Sequence, residues 1–365
     1  MNVKRKDVII VHDVDGRIYF EAIQELKKEN LISSLKYRET SVVKRILSSI
    51  YKRKDFVLWL KRGVANSFFR MCLPFVKNKT IVLGIAPYNF RFAIYGLLAL
   101  RNHVIYHTSW PYWWGGNVPY NYSGKNKILK KIYAYYINNF NITVVGVTQP
   151  CISSIAENLA SIKCCHFIPH AVNIEVFKSK HKDGLQKKIL YVGRLVKEKG
   201  IYELADAIAN CNEEFEFTFV GAGSEQEQLK SLLNNRHNVK FLGHISNKSK
   251  VAEVFKNNDI LVLPSKKIDG WEELFGLVII EAMACGLIVI ASDHIGPRGI
   301  IKHGVNGFLI SDSNLTKNIC DAITRLNTLT TSQLNLIRDN AIKTASEYGI
   351  NTVKKKWLEV INNER

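Results

Sequence analysis

The chain has 365 residues, of which 47% are hydrophobic, and it carries a formal net charge of +19. This length suits two domains of moderate size, and this apolar content excludes wholesale disorder. The longest apolar stretch is broken by Pro87, Asn89 and Arg91, so neither a membrane-spanning helix nor a signal peptide is predicted. The seven cysteines form no Cys-x-x-Cys pair, which indicates reduced thiols and argues against a disulfide framework or a zinc site.

Positive charge is concentrated in the first half of the chain. Residues 1–185 carry 28 Lys and Arg against 11 Asp and Glu, whereas the remaining 180 residues carry 23 against 21. Between Lys44 and Pro150 there are 16 basic residues and a single acidic one, Asp55. The first half is therefore expected to face an anionic partner, and the second half has no such requirement.

Apolar runs of strand length alternate with helical patterns along the whole chain. Runs rich in Val and Ile that are apolar on both faces suit strands buried in a parallel sheet. Alternation of strands and helices implies right-handed crossovers and open, doubly wound sheets, so we predict an α/β protein with two Rossmann-like domains. The runs lie at 8–11, 80–85, 103–107 and 142–147, and again at 188–193, 215–221, 259–264 and 287–292.

The polar stretch at 173–188 predicts the seam between the domains, because it lacks apolar periodicity. The N-terminal domain is then expected at 1–175 and the C-terminal domain at 186–345. The end of the chain predicts two helices broken near Gly349, and the segment 346–365 is expected to pack back towards the N-terminal domain.

The first predicted strand runs into the sequence Asp13-Val14-Asp15-Gly16. One hypothesis is a phosphohydrolase of the haloacid dehalogenase type, in which Asp13 is the nucleophile and magnesium neutralises charge. That chemistry needs a further acidic motif after a downstream strand, and none is found. An Asp-x-Asp metal clamp of a nucleotide-sugar enzyme would lie deeper in a one-domain chain. An ordinary strand-to-helix turn is the favoured interpretation.

Two segments of the first half combine aromatic and basic residues. As a helix, residues 55–75 are a candidate for lying on an anionic membrane surface, the alternative being a core helix with solvated basic residues. In the segment 103–122, His103 and His107 are separated by roughly 13 Å on a strand and cannot share one metal ion.

The sequence YVGRLVKEKG at 191–200 predicts a buried strand that turns at Gly193. Arg194 and Lys199 would then lie at the carboxyl edge of the sheet, where open α/β sheets bind ligands. An arginine offers a bidentate fork and a lysine a point charge to phosphate oxygens. The alternative is a solvated loop.

The sequence EELFGLVIIEAMACG at 272–286 places Glu273 before a helix predicted to start near Gly276, and Glu281 within it. Glu281 is flanked by apolar residues, and a buried carboxylate is costly unless it has donors to bond. Sugar hydroxyls are such donors, and a helix start offers unpaired N–H groups to phosphate. With the two cations, this pattern is typical of a site for a nucleoside diphosphate sugar.

The segment from Val147 to Leu309 resembles the family-4 retaining glycosyltransferases, which have the two-domain GT-B fold. The resemblance covers nearly half the chain, and the first half matches only by architecture. It implies two Rossmann-like domains that face a central cleft. The matching motifs are FIPHAVNIEVF, ILYVGRLVKEKG, FVGAGSEQEQL, VKFLGHIS, NDILVLPS, EELFGLVIIEAMACG and GPRGIIKHGVNGFLI.

The resemblance implies a role for each matching residue. Arg194 and Lys199 look like the pair that grips the donor diphosphate, Glu273 like the residue that holds donor-sugar hydroxyls, and Glu281 like the one that binds ribose. His107 resembles a histidine near the reacting sugar carbon, the alternative being a structural histidine. Further donor contacts are implied for Gly193, Gly243, His244, Phe275, Gly276 and Leu277.

In a GT-B frame, Gly16 would let the backbone approach donor phosphate or acceptor sugar closely. Asp13 and Asp15 either orient acceptor hydroxyls or cap a helix beginning near Ile18. Trp110 and Trp113 could stack on acceptor sugars, touch lipid headgroups or simply pack. One departure from the family pattern is Arg298-Gly299, where many relatives carry an acidic residue.

The resemblance thus implies a retaining hexosyltransferase that needs no metal or other cofactor and uses a nucleotide-sugar co-substrate. A UDP-sugar is favoured, and GDP-mannose is the alternative. The expected acceptor is a glycan or a polyprenyl-diphosphate-linked glycan in bacterial surface polysaccharide synthesis (O-antigen, capsule or lipopolysaccharide). The expected location is cytoplasmic, peripheral on the inner face of the membrane. A basic nucleic-acid-binding protein is the rival of another class, but no zinc knuckle, RRM signature or helix-turn-helix pattern supports a nucleic-acid partner.

Overall fold

The computed structural model of the protein describes residues 5–40, 56–113, 126–159, 165–178, 184–210, 214–269 and 271–363. The chain divides into two compact units: the first unit is Met1–Ala171 with Ile350–Arg365, and the second unit is Val172–Gly349. Each is built on a six-stranded parallel sheet covered by helices. The predicted α/β class with two doubly wound parallel sheets is therefore confirmed.

The sheet of the first unit has the strand order β2-β1-β3-β4-β5-β6. This order is flavodoxin-like, and its switch point lies between β1 and β3. The strands are β1 (Asp7–His12), β2 (Ser34–Glu39), β3 (Thr80–Gly84), β4 (His103–Thr108), β5 (Ile142–Gly146) and β6 (Cys165–Phe167). The α-helices are α1 (Glu21–Lys28), α2 (Phe56–Met71), α3 (Phe90–Tyr95), α4 (Asn126–Asn139), α5 (Gln149–Asn158) and α13 (Ile350–Asn362), with 3₁₀ turns at Gly16–Ile18, Leu73–Phe75 and Gly96–Leu100.

Helix α13 completes the first unit although it follows the second unit in the chain. Val353, Trp357 and Val360 are buried in the layer that holds Phe20 and the apolar residues of α1. The Trp357 and Phe20 rings lie 5.7 Å apart, edge to face. The break between α12 and α13 falls at Tyr348–Gly349, close to the predicted position.

The sheet of the second unit has the strand order β12-β11-β10-β7-β8-β9. Counted from β7, this is the 3-2-1-4-5-6 order of dinucleotide-binding domains, and its switch point lies between β7 and β10. The strands are β7 (Lys188–Val192), β8 (Glu216–Val220), β9 (Val239–Phe241), β10 (Ile260–Leu263), β11 (Ile288–Ser292) and β12 (Phe308–Ile310). The α-helices are α6 (Ile201–Asn210), α7 (Gln226–Leu232), α8 (Lys248–Lys256), α9 (Leu277–Ala284), α10 (Ile295–Arg298), α11 (Leu315–Asn327) and α12 (Thr331–Glu347), with a 3₁₀ turn at Lys197–Lys199.

The boundary between the units differs from the predicted seam. Val172 donates its N–H to the carbonyl of Tyr348 at 2.9 Å, and the buried Phe177 ring lies 5.9 Å from Phe255. Residues 172–178 therefore belong to the second unit, whereas the polar stretch 173–188 was predicted to be a linker. Burial of the apolar side chains of Val172 and Phe177 attaches this stretch to the second unit, although its composition is mostly polar.

Among the described residues, no helix combines the length and the apolar character that crossing a membrane requires. Helix α2 has 16 residues and carries Lys61, Arg62 and Arg70 within its apolar sequence. It lies within the first unit, where its Phe69 side chain is part of the core.

Acid is expected to destabilise the first unit through its buried histidines. His170 is 7% exposed, and burial lowers the pKa of its imidazole from 6.5 to about 4. Burial likewise lowers the pKa of His107, whose ring lies 5.7 Å from that of His170. The folded state thus binds fewer protons than the unfolded state. The stability that these neutral histidines contribute is fully present above about pH 6.5, and it is lost as the pH falls through the pKa of the folded state.

A pKa lowered to about 4 corresponds to a loss of about 3 kcal/mol once His170 is fully protonated. We expect urea unfolding between about pH 7.5 and about pH 4.5 to show a shallower loss of stability in His170→Asn than in the parent. His237→Asn removes an exposed histidine and serves as the control. Equal pH slopes in all three proteins would contradict the assignment.

Candidate active site

The switch point of the second unit brings together the loops that follow β7 and β10. These strands are neighbours in the sheet, but β8 and β9 lie on one side of the pair, and β11 and β12 on the other. The loops that leave the carboxyl ends of β7 and β10 therefore diverge, and the crevice between them is where open α/β sheets bind ligands.

The loop after β7 is held against the loop after β8 by backbone hydrogen bonds. Gly193 donates to the carbonyl of Val220 at 3.0 Å, and Leu195 donates to that of Ala222 at 3.1 Å. The Tyr191 hydroxyl donates to the carbonyl of Arg194 at 2.7 Å. Because its backbone is fixed in this way, Arg194 projects its guanidinium from a rigid turn. That side chain is 62% exposed and lies 3.5 Å from Glu198.

Lys199 and Glu273 form an ion pair across the switch point. The ammonium of Lys199 donates to Oε2 of Glu273, and both side chains are largely buried, with exposures of 12% and 16%. The Ser265 hydroxyl lies 3.4 Å from the same oxygen, and the Trp271 ring lies 5.0 Å from the ammonium. A cation and an anion are thus held side by side at the ligand-binding edge.

Gly200 positions Lys199 by a close approach between backbones. Its φ is 65°, in the left-handed region, and a Cβ at this position would lie 1.7 Å from the carbonyl oxygen of Pro264. Only glycine accepts both conditions without a shift. The turn that carries Lys199 therefore packs directly on the residue that follows β10.

His294 positions Glu273 from the loop after β11. The backbone N–H of Glu273 donates to Nδ1 of His294 at 3.2 Å, and Nε2 of His294 lies 3.4 Å from Asp312. Burial lowers the pKa of His294, which outweighs the raising effect of the Asp312 and Glu272 carboxylates. Since Nδ1 must accept from Glu273, a neutral imidazole carries its proton on Nε2, the nitrogen nearest Asp312.

Helix α9 begins at Leu277 after Gly276, which has a φ of 89°. The helix therefore begins where the sequence predicted. Its first backbone N–H groups have no partner within the helix, as at any helix start. Phe275 is buried, and Glu281 lies half-buried on the helix among buried apolar residues. Gly243 accepts a hydrogen bond from Gly221 at 2.8 Å, so the β9 loop joins the same edge, and His244 beside it is exposed.

Arg298, the departure from the family pattern, is bound by a neighbouring acid. Its Nε and Nη2 atoms each donate to one carboxylate oxygen of Asp293 at 2.8 Å. This hydrogen-bonded pair lowers the pKa of Asp293, although burial alone would raise it. The positive charge is thus balanced within the loop after β11.

In the first unit, Asp15 rather than Asp13 caps the turn after β1. Asp15 accepts from the backbone N–H of Arg17 at 3.2 Å, at the start of the 3₁₀ turn Gly16–Ile18. Burial favours a raised pKa for Asp15, but this hydrogen bond and the charges of Arg17 and Arg62 lower it.

Asp13 instead joins the loops at the switch point of the first unit. One carboxylate oxygen accepts from the Thr40 hydroxyl, and the other accepts from the backbone N–H of Ala86 at 3.0 Å. The Arg91 guanidinium lies 3.5 Å away. This bonding occupies both oxygens and does not suit the nucleophile of a phosphohydrolase, because a nucleophile needs an oxygen free to attack.

His107 lies in an aromatic cluster of the first unit. It is 5% exposed, and its ring lies 4.7 Å from that of Phe20 and 5.8 Å from that of Trp357. This packing favours the structural alternative, and contact with a reacting sugar stays a prediction. His103 is engaged separately, with its Nε2 2.9 Å from the Thr143 hydroxyl.

Trp113 requires a correction. It is fully buried in the core of the first unit, where its N–H groups bond to Ser154 and to the carbonyl of Trp110. It therefore cannot stack on an acceptor sugar, because it has no exposed face. Trp110 is half-buried, and its role stays a prediction. Residues 114–122 of the aromatic segment, including Gly115 and Gly116, lie outside the described residues.

Some residues of the site were not predicted from the sequence, among them Trp271 and His294. Trp271 covers Lys199, and His294 binds the backbone of Glu273. A signal was available for both, since Trp271 directly precedes the two glutamates and His294 follows a predicted strand. Within the described ranges, no group of three or more His, Cys, Asp or Glu side chains is arranged to hold a metal ion.

Two Rossmann-type topologies in one chain, with an ion pair at the switch point of the second, define the GT-B class of α/β protein. Residues 172–344 match the family model described as glycosyl transferases group 1. The second unit of the chain therefore belongs to that family.

Relatives and solved structures agree with this assignment. An uncharacterized glycosyltransferase of Methanocaldococcus jannaschii is 38% identical over 35% of this chain and 33% of that protein. The N,N'-diacetylbacillosaminyl-diphospho-undecaprenol alpha-1,3-N-acetylgalactosaminyltransferase of Campylobacter jejuni is 29% identical over 47% of this chain and 43% of that protein. The crystal structure of Anabaena HepE in complex with UDP has a TM-score of 0.66 at 17% identity, covering 97% of this chain and 98% of that chain.

The matched regions span only part of the relatives. They cover 33%, 51% and 46% of the length of the first three curated relatives. The matches therefore fix the family of the second unit and the fold, and the activity of the whole chain is inferred below.

Proposed function

We propose that the protein is a retaining hexosyltransferase that moves a sugar from a nucleoside diphosphate sugar to a glycan or polyprenyl-diphosphate-linked glycan. The observation that carries this proposal is the ion pair between Lys199 and Glu273 at the switch point of the second unit. The ammonium of Lys199 can bind the departing diphosphate, and the carboxylate of Glu273 can accept from the sugar hydroxyls. The ion pair holds these two side chains at one edge of the sheet.

The cations would act on the leaving group. A lysine ammonium has three N–H donors, so Lys199 can keep its bond to Glu273 and still donate to diphosphate oxygens. The exposed Arg194 would add a fork of donors from the neighbouring turn. Negative charge grows on the diphosphate as the glycosidic bond breaks, so fixed cations stabilise the transition state more than the ground state.

The carboxylates would hold the donor. The contacts of Glu273 with Lys199 and Ser265 both fall on Oε2, and its other oxygen can accept from hydroxyls of the donor sugar. Glu281 would bind the ribose, and the first N–H groups of α9 would face the phosphates. Gly243 and His244 lie on the β9 loop, where the base would be held.

Two cations beside the diphosphate would replace the charge that a metal ion supplies in other transferases. We therefore expect transfer to persist in the presence of a chelator. Retention is expected through an oxocarbenium-like centre, and NMR of the first-formed product would give its anomeric configuration. Inversion would contradict the retaining part of the proposal.

A UDP-sugar is the favoured donor, and GDP-mannose is the alternative. The similarity to a structure in complex with UDP supports the first choice. The name of the Campylobacter relative, which contains a diphospho-undecaprenol acceptor, supports a lipid-linked acceptor. The setting would be bacterial surface polysaccharide synthesis, such as O-antigen, capsule or lipopolysaccharide, with the protein cytoplasmic and peripheral on the inner face of the membrane.

A thermal-shift panel of UDP, GDP and ADP with their sugars tests the donor. We expect the UDP series to raise the melting temperature most, because a ligand that binds only the folded state stabilises it. Glu281→Gln should reduce the shift from UDP, whereas Glu227→Gln, at an exposed position on α7, should leave it unchanged. No shift with any nucleoside diphosphate would contradict the proposal.

A further inference from the structure

Helix α2 turns most of its apolar side chains to solvent, although Phe69 packs in the core. Its apolar side chains recur every three or four residues on the face that points to solvent. Phe68, Met71 and Phe75 are 67%, 77% and 80% exposed. We call this outward row the apolar stripe; it consists of Val57, Leu60, Val64, Phe68 and Met71 on α2 and Phe75 on the next 3₁₀ turn.

The inward face of α2 combines the buried Phe69 with polar contacts to neighbouring loops. The Arg62 guanidinium lies 3.3 Å from the carboxylates of Asp15 and Glu39, and Asn66 accepts from the backbone N–H of Glu39 at 3.0 Å. These bonds fix the rotation of the helix. The apolar stripe is therefore held outward by specific polar contacts.

A separate apolar groove lies beside the end of α2, lined by residues that directly follow the helix in the chain. It has a volume of about 480 Å³, and Leu73, Ile94 and Leu97 line it. Arg70 and Arg101 also line it, and hydrogen bonds hold both: Arg70 donates to the carbonyl of Thr40 at 2.8 Å, and Arg101 donates to that of Pro74 at 3.1 Å. Exposed apolar surface next to fixed cations is unusual for a monomer in water.

We propose that the apolar stripe and the groove dock the first unit onto the surface of an anionic lipid bilayer. This inference rests on the proposed peripheral location and names the surface responsible. Apolar side chains would enter the headgroup region while the arginines bind lipid phosphates. Charge supports this occupant, since residues 56–113 contain seven Lys and Arg and no Asp or Glu. A second copy of the chain would instead bring two positively charged faces together, and these would repel each other.

The position of α2 gives the docking a direction within the first unit. Its contacts with Asp15 and Glu39 lie at the carboxyl ends of β1 and β2, and its last residues precede β3. The stripe thus runs from the edge that carries Asp13 and Asp15 towards the opposite edge. A lipid-linked acceptor in the same bilayer would be presented at the β1 loop.

The test is sedimentation of the full chain with vesicles of phosphatidylcholine containing about one-third phosphatidylglycerol. The double variant Phe68→Glu with Phe75→Glu should lower the vesicle affinity at least about tenfold. Leu336→Glu, at an exposed leucine on α12 of the second unit, is the matched control and should bind like the parent. All these side chains are exposed, so melting temperatures should be unchanged.

Three results would overturn the inference. They are vesicle binding that survives the double variant, no binding by the parent at low salt, and a dimer of the parent that the double variant abolishes without any vesicle binding. The thermal shift with UDP is measured on the same variants and should not change. Failure of vesicle binding with an intact UDP shift would therefore reject the docking surface and leave the proposed donor site standing.

Discussion

Replacing Lys199 by alanine is expected to lower kcat for sugar transfer by about 10²–10³-fold, the usual effect of removing one charge-stabilising donor. Its ammonium is the buried cation at the switch point, and it meets Glu273 there. The affinity for UDP should fall with kcat, whereas the affinity for uridine should change little, because uridine has no phosphate. Calorimetric titration with the two ligands separates loss of phosphate binding from a general disturbance.

Lys197→Ala is the matched control for this variant. Lys197 lies on the same 3₁₀ turn as Lys199 but is exposed. Its removal should leave kcat and UDP affinity near those of the parent. If Lys199→Ala kept near-normal turnover, or if both variants lost UDP affinity equally, Lys199 would not be the phosphate ligand.

Replacing Gly200 by alanine is expected to cost about 3 kcal/mol or more of unfolding free energy, because two penalties add. The left-handed conformation costs an alanine about 1–2 kcal/mol. In addition, its Cβ would lie 1.7 Å from the carbonyl oxygen of Pro264, so the loops after β7 and β10 must separate. Lys199 would then shift away from Glu273, and turnover should fall together with stability. Urea unfolding measures the first effect.

Gly304→Ala separates the two penalties. Gly304 has a φ of 76°, but no atom of the described residues lies within 4 Å of the position of its Cβ. This variant should therefore lose only about 1–2 kcal/mol and keep its activity. Equal losses at Gly200 and Gly304 would show that the contact with Pro264 is unimportant.

The fold was predictable wherever strands are buried on both faces. β3, β4 and β5 are fully buried along their length, and each appears in the sequence as an apolar run. β2 was missed because Ser34–Glu39 is an edge strand whose polar side chains give no such run. β6, β9 and β12 were missed because each has only three residues, too few to show a pattern.

The candidate site was predictable as a set of residues but not as a set of contacts. The motifs placed Lys199 and Glu273 after strands of one sheet, which predicts proximity at an edge. They could not show that the two side chains pair with each other, since this depends on the approach of Gly200 to Pro264. Trp113 was a candidate for stacking on an acceptor sugar, with simple packing as an alternative, and the structure buries it in the core beside Ser154, which is distant in the sequence.

Helix α13 has a consequence for synthesis on the ribosome. It is translated after the whole of Val172–Gly349, yet its Trp357 fills the layer beside α1, which emerged first. The second unit can fold as soon as its own residues have left the exit tunnel. The N-terminal part of the first unit, by contrast, exposes the apolar surface beside α1 until α13 has been made. A nascent chain stalled before Ile350 should accordingly bind chaperones through the portion made earliest.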